Sequence, residues 1–186
     1  YNTNPIESKI CIPDLIVKEV EIDIYKIYTG TTIPLQIDRT ILIDNINHTE
    51  TETIYIDIKQ GSDDKEIILI KNKGNIINSI QGDIKLFLKL INNTPYKRDG
   101  LDLILEKTIT LKEALCGFTF QIKFLDFKTY NIVNYNNIIS CNESKILHNM
   151  GLTRNNNTGR LVINFSIIFP KNLDPLVIKF LKEHLE

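Results

Sequence analysis

The chain has 186 residues, 42% of them apolar, with a formal net charge of −1. That is enough for one large domain or two small ones with a real core, and it leaves no cationic excess for a nucleic-acid backbone and no acidic tail. No apolar run is long enough to span a membrane, and three scattered cysteines, Cys11, Cys116 and Cys141, form neither a disulfide framework nor a zinc site.

Residues 1–15, with Pro5 and Pro13, read as an irregular lead-in. The sequence starts at Tyr1 rather than Met, so it is expected to be a piece of a longer protein. From Ile16 the dominant period is two: Val20, Ile22 and Ile24 alternate with Glu21 and Asp23, as in a half-buried strand. Strands are expected over Leu35–Ile43, Ile54–Ile58, Ile67–Ile70, Ile84–Leu90, Leu103–Ile109, Phe118–Leu125 and Leu161–Phe169. Turn signals at Gly30, Gly61, Gly74, Gly82, Gly100 and Gly159 separate them. This spacing means a β-sandwich or small β-barrel architecture.

Two helical features interrupt the strands. Leu111–Leu115 makes one or two helical turns, stopped by Gly117. Near the end, Asp174 is a good N-cap, Pro175 occupies the first helical position, and Val177, Phe180, Leu181 and Leu185 form one apolar stripe.

No constellation carries chemistry. His48, His148 and His184 are scattered, with no Ser or Cys nearby in a catalytic pattern. His48 sits in a polar loop, and His184 borders the stripe four residues after Phe180. Cys116, before Gly117, lacks a nucleophile elbow and reads as a buried structural thiol. Asp63, Asp64 and Glu66 do not have calcium-loop spacing, and no Gly-rich phosphate loop exists. No enzyme activity, metal or cofactor is expected, nor binding to nucleic acid or membrane. Free thiols point to a reducing compartment, so a cytoplasmic location is expected.

An internal repeat organises the chain. Ile22, Ile24, Ile27 and Gly30 share offsets with Ile109, Leu111, Ala114 and Gly117; Leu35 and Ile37 match Ile122 and Phe124. Lys73-Gly74 before Gly82-Asp83 parallels Met150-Gly151 before Gly159-Arg160. The reading is mostly β: two tandem β-sandwich-like lobes, at 16–96 and 102–173, joined by a hinge at 97–101 and followed by a helix at 174–186.

Tyr96-Lys97-Arg98-Asp99-Gly100-Leu101-Asp102-Leu103, followed by Ile109-Thr110-Leu111-Lys112-Glu113-Ala114-Leu115-Cys116-Gly117, resembles the linker and second lobe of Hsp40 (DnaJ-type) co-chaperones. Leu125-Asp126 falls where that family has Leu-Asp-Gly, with Phe127 in place of the glycine, and Gly159-Arg160-Leu161 through Phe169-Pro170 resembles its closing strands. The sequence carries no Cys-x-x-Cys insertion, so the resemblance is to the C-terminal client-binding region of a class B (type II) Hsp40. The J domain, with its His-Pro-Asp signature, is not in this sequence; stimulation of Hsp70 ATP hydrolysis is therefore not expected of it.

The resemblance implies binding of unfolded or extended polypeptide for delivery to Hsp70, by strand addition and capture of apolar side chains. It places a groove at Leu35 and Ile37 on the strand after Gly30, Leu86 and Leu88 opposite, and Val20 and Ile22 alongside. Where the family carries lysines for the acidic Hsp70 tail, this chain has Ile33 and Gln36 around Pro34, so weak or absent tail binding is expected unless Lys18 or Lys59 compensates. The resemblance also implies a homodimer through Val177, Phe180, Leu181 and Leu185. The competing reading is a structural or interaction β-sandwich module with one specific protein partner.

Overall fold

A computed structural model describes residues 12–135, 137–141 and 143–185. The lead-in before Ile12, Cys11 included, lies outside them. Two compact units divide the chain, Tyr1–Asn93 and Thr94–Glu186. In the first, β1 (Ile16–Asp23), α1 (Ile24–Thr29), β2 (Thr31–Ile43), β3 (Ile46–Ile58) and β4 (Ile67–Ile70) precede β5 (Ile76–Ile77), β6 (Ile80–Gln81) and β7 (Ile84–Ile91). The second opens with β8 (Tyr96–Asp99), β9 (Asp102–Thr110), α2 (Leu111–Cys116), β10 (Phe118–Lys123) and β11 (Thr129–Asn134). It closes with β12 (Ser144–Leu147), β13 (Thr153–Arg154), β14 (Asn157–Thr158), β15 (Leu161–Ile168) and α3 (Pro175–His184). The fold is mostly β, as the strand periodicity predicts.

The sequence repeat is a repeat of structure. β1 runs parallel to β7, and β9 runs parallel to β15. A six-residue helix then leads into an antiparallel hairpin, β2–β3 or β10–β11. Gly30 and Gly117 end the two helices at φ 71° and 90°. A side chain is strained at either φ, and a Cβ on Gly117 would also strike the Asn134 carbonyl oxygen. The Gly74 N–H donates to the Gly82 carbonyl at 2.9 Å, and the Gly151 N–H to the Gly159 carbonyl at 2.9 Å. Ile16 and Leu103 likewise correspond, donating to the carbonyls of Asp83 (3.2 Å) and Arg160 (2.8 Å).

Alternation sets the core of each unit. Ile22, Ile37, Ile84, Leu86 and Leu88 are at most 1% exposed, as are Leu103, Leu161 and Ile163 in the second unit. The first unit holds sheets ordered β1-β7-β4 and β3-β2-β5-β6; the second holds β12-β15-β9-β8, the pair β10-β11 and the small hairpin β13-β14.

Several expectations need correcting. Ile24 does not continue the strand: the Asp23 carboxylate accepts the Tyr25 N–H at 3.0 Å, capping α1, and Ile24 is its first, fully buried residue. His48 lies on β3 rather than in a loop, although it is exposed. The hinge expected at 97–101 is built as a hairpin, β8 turning into β9 at Gly100, φ 59°. Phe127, where the resembled family has glycine, holds φ 62° in the left-handed region that strains a bulky side chain.

α2 carries a complete capping box. The Thr110 hydroxyl accepts the Glu113 N–H at 3.2 Å, and the Glu113 carboxylate accepts the Thr110 N–H at 2.7 Å. The Thr110 N–H first, and then the Thr110 hydroxyl, which donates to the same carboxylate at 2.8 Å, hold Glu113 below its ordinary 4.5. A carboxylate depressed in the folded state stabilises above its unfolded pKa, and this is lost as pH falls through the folded value. Glu113→Ala should therefore cost about 1 kcal/mol near neutrality, the scale of a lost cap. Urea denaturation of both proteins should show that gap narrowing as the pH is lowered below about 4.5; a gap constant with pH would contradict the assignment.

Candidate functional site

The first unit leaves two strand edges without partners among the described residues. β1 is an outer strand of β1-β7-β4. Its Ile16 N–H bonds toward β7, so the backbone groups of Val17, Glu19 and Glu21 point to the open side. β2 is paired with β3 along its whole length, but on its other side meets β5 only at Ile41 and Leu42. The Thr40 N–H turns to that side, reaching the Asn75 side chain at 2.8 Å. By alternation the backbone of Thr32, Pro34, Gln36 and Asp38 faces it too. Pro34 thus points its donor-less nitrogen at the open edge, where it breaks no ladder bond.

The expected groove residues divide. Ile22, Ile37, Leu86 and Leu88 are sealed in the core; Val20 and Leu35 are half-exposed. With them on the inner face are two further half-exposed residues, Ile16 and Lys18. Lys18 belongs to the same alternating set as Val20 and Ile22. Lys59 follows β3 and is exposed. Ile33 is buried on the inner face, and its backbone groups turn to β3 rather than to the open edge.

The second unit has the same two edges, and its own chain pairs with one of them, that of β9. β8 pairs antiparallel with β9, Tyr96 opposite Leu105. Tyr96 is 2% exposed, stacks edge-on against Phe124 (5.4 Å between ring centres), and donates its hydroxyl to the Lys123 carbonyl of β10 at 2.9 Å. One short strand therefore bridges β9 and β10. At the spacing set by Gly30 and Gly117, Leu103, Leu105, Ile122 and Lys123 correspond to Ile16, Lys18, Leu35 and Gln36. Leu103, Leu105 and Ile122 are buried; Ile16, Lys18 and Leu35 are half-exposed.

α3 buries no residue. Asp174 caps it by accepting the Leu176 N–H at 2.8 Å, with Pro175 in the first turn. Val177 and Leu181 border an apolar depression of about 440 Å³ walled by Leu111, Leu115, Ile168 and Phe169. Phe180 and Leu185 are turned to solvent, and Phe180 lies 4.4 Å from the His184 ring. Cys116 lines this depression and is exposed, not buried: the buried residue of α2 is Ala114, and a position two further on lies on the opposite side of the helix. Among the described residues no three His, Cys, Asp or Glu side chains are placed to hold a metal ion. No described helix is long and apolar enough to cross a membrane.

Residues 16–170 match the family model of the DnaJ C-terminal domain. The chain belongs to this family. It is 30% identical over 176 residues to the DnaJ homolog subfamily B member 5 of Homo sapiens, covering 91% of this chain and 50% of that protein. It is 28% identical over 131 residues to the chaperone protein dnaJ 3 of Arabidopsis thaliana, covering 68% of this chain and 31% of that protein. The chain thus spans about half the length of its human relative. It is an Hsp40-family co-chaperone region, a class that generally acts without catalysis of its own.

The β8 cover can be tested alone. Tyr96→Phe keeps the ring and its packing but leaves the Lys123 carbonyl without its phenol donor. It should lower unfolding free energy by about 1 kcal/mol, the net worth of one such bond, measured by urea denaturation. An unchanged midpoint would mean that the hydroxyl contributes nothing to the seal.

Proposed function

We propose that this chain binds extended or unfolded polypeptide in the first-lobe trough bounded by β1 and β2, for delivery to Hsp70. The observation that carries this reading is the pair of unpartnered strand edges above half-exposed Ile16, Val20 and Leu35. Free backbone groups bind any extended chain alike, and an apolar trough takes its alternate side chains. Buried Ile22, Ile37, Leu86 and Leu88 serve as the floor on which the trough rests. Weak, sequence-tolerant capture is the activity this arrangement supports, and it requires no nucleophile, metal or cofactor. Contact with an acidic Hsp70 tail is not part of the proposal, because Ile33 and Gln36 stand where the resembled family has lysines.

The chain works as a homodimer in this reading. α3 presents Phe180 and Leu185 to solvent beside half-covered Val177 and Leu181, a surface suited to an isologous contact. Two troughs on one dimer would hold a long client with avidity. The free thiols Cys116 and Cys141 fit a reducing compartment, so the cytoplasm is the proposed site of action.

Two measurements test this reading. The chain should suppress aggregation of a chemically denatured model protein, and Leu35→Asp should remove most of that effect while the melting temperature falls only slightly. A module with one specific folded partner would show no suppression in wild type, which would end the client-binding reading. Separately, sedimentation should find a dimer in wild type and a folded monomer for Phe180→Asp. A monomeric wild type at tens of micromolar would remove the dimer from the proposal.

A further inference from the structure

Away from the trough, the β1-β7-β4 sheet ends on its far side at β4. This strand is Ile67-Ile68-Leu69-Ile70, four aliphatic residues with no charge and no proline. The Leu88 N–H donates to the Glu66 carbonyl at 3.0 Å, so alternation turns the backbone of Ile68 and Ile70 to β7 and that of Ile67 and Leu69 outward. The side chains of Ile67 and Leu69 are 50% and 52% exposed. Among the described residues nothing pairs with this edge, and an exposed aliphatic edge is one to which another strand adds. The second lobe carries the same strand in a blunted form. At the spacing set by Gly82 and Gly159, Ser144, Lys145 and Ile146 correspond to Ile67, Ile68 and Leu69. Lys145 points inward, and its ammonium donates to the Val133 carbonyl of β11 at 2.6 Å. The Ser144 hydroxyl donates to Asn164 at 2.7 Å, and the Asn164 amide donates to Glu106 at 3.2 Å. An inward lysine and a bonded polar row both discourage strand addition. In the first lobe Ile68 replaces that lysine, and Ile67 beside Phe87 replaces Ser144 beside Asn164.

We propose that β4 is a docking edge for a second copy of this chain, the two β4 strands pairing antiparallel about a two-fold axis at Ile68. The charges flanking the strand select this occupant. Before it, Asp63, Asp64 and Glu66 outweigh Lys65, a net −2; after it, Lys71 and Lys73 give a net +2, Lys73 also meeting Glu52 at 2.6 Å. Antiparallel pairing of two copies lays the acidic flank of each beside the basic flank of the other, whereas parallel pairing lays like on like. In that register Ile67 of one copy exchanges both backbone bonds with Leu69 of the other, twice by symmetry, and Ile68 meets its own counterpart. No charged residue enters the paired strands. The contact is small and therefore weak, with a dissociation constant on the order of hundreds of micromolar. Together with the dimer through α3, it gives each protomer two different isologous contacts, which link dimers in series.

Sedimentation equilibrium of the full chain carrying Phe180→Asp, followed from tens of micromolar to about one millimolar, tests this edge without the α3 contact. A monomer is expected at the low end and a growing fraction of dimer toward the top. Adding Leu69→Lys, at an exposed position, should leave the melting temperature unchanged and weaken association by at least about tenfold, since the change enters the contact twice. Ile67→Lys serves where Leu69→Lys does not fold. Lys71→Glu should weaken association about fivefold at low salt, the scale of two surface charge contacts. Hydrogen exchange reads the mode: the amides of Ile67 and Leu69 should slow as concentration rises, and those of Val17 and Glu19 should not. A chain that stays monomeric to about one millimolar overturns the proposal. So does association that ignores Leu69→Lys or Lys71→Glu, or protection that appears on β1 or β2 instead. Protection of Ile67 and Leu69 by a denatured client, with no self-association, assigns the edge to clients and overturns it as well. The earlier readings stand or fall separately: a wild type that is monomeric at tens of micromolar is tested in place of Phe180→Asp, and Leu69→Lys should still suppress aggregation.

Discussion

A backbone N–H or carbonyl without a partner is tolerated only where water or another chain can reach it, and two strand edges in this protein are governed by that constraint. Within the first lobe β7 lies between β1 and β4, and β2 lies between β3 and the short β5. Their inner ladders are complete. What is left, among the described residues, is one side of β1 and most of one side of β2. In the second lobe β8 pairs with β9, the counterpart of β1, and the Tyr96 hydroxyl gives β10, the counterpart of β2, a single bond. The two lobes share a fold; in the second, Gly100 holds the left-handed turn that brings β8 back onto β9, and Pro13 stands at the corresponding place in the first.

An open edge is also a hazard, since any strand can add to it. The first lobe carries several features that restrain this. Glu19 and Glu21 charge the outer face of β1, Glu21 paired with Lys89 at 2.8 Å. Lys18 points inward on the edge strand, and Pro34 interrupts the opposite edge. These features weaken indiscriminate pairing without covering the trough. The β2–β3 hairpin runs thirteen residues on each strand, against six in β10–β11. Arg39 bridges Glu50 at 2.7 Å and Glu52 at 2.9 Å, and Lys73 meets Glu52 at 2.6 Å, so charge rather than a second apolar layer ties its outer half to the lobe.

Much of this architecture was legible in the sequence, and the repeat was the reason. Offsets shared by Ile22, Ile24, Ile27, Gly30 and their later counterparts announced two copies of one fold, which the parallel β1–β7 and β9–β15 ladders bear out. The same offsets also held the answer to the Ile24 error. Its counterpart Leu111 reads as helical, while alternation alone carried Ile24 into the strand; the Asp23 cap decides between them. Tyr96–Asp99 escaped because Lys97, Arg98 and Asp99 have the charge of a linker, and a strand of four residues is too short for periodicity to register. Its one inward residue is an aromatic whose polar tip finds a carbonyl far along the chain, a tertiary fact that no local pattern records. Cys116 differs from its expected burial for a related reason: a six-residue helix buries a single face, and Ala114 occupies it. In the groove, alternation identified the inner face of each strand, but the depth of a residue along that face depends on which edge is covered. Hence Val20 and Ile22, on one face of one strand, end at different exposures.

The C-terminal helix presents the same constraint in apolar rather than polar form. A ten-residue helix is marginal alone, and even a good cap at Asp174 with Lys182 and His184 in the last turn contributes only about 1 kcal/mol or so in total. Most helices of this length are held by burying a face, yet none of the described residues of α3 is buried. Val177 and Leu181 rest against an apolar hollow that they do not fill, and Phe180 and Leu185 face water. In the proposed homodimer a second copy would supply the missing packing, so helix order and association would be coupled. Strand edge and helix stripe are thus the same kind of feature, a secondary-structure element that the described residues of its own lobe satisfy on one side only.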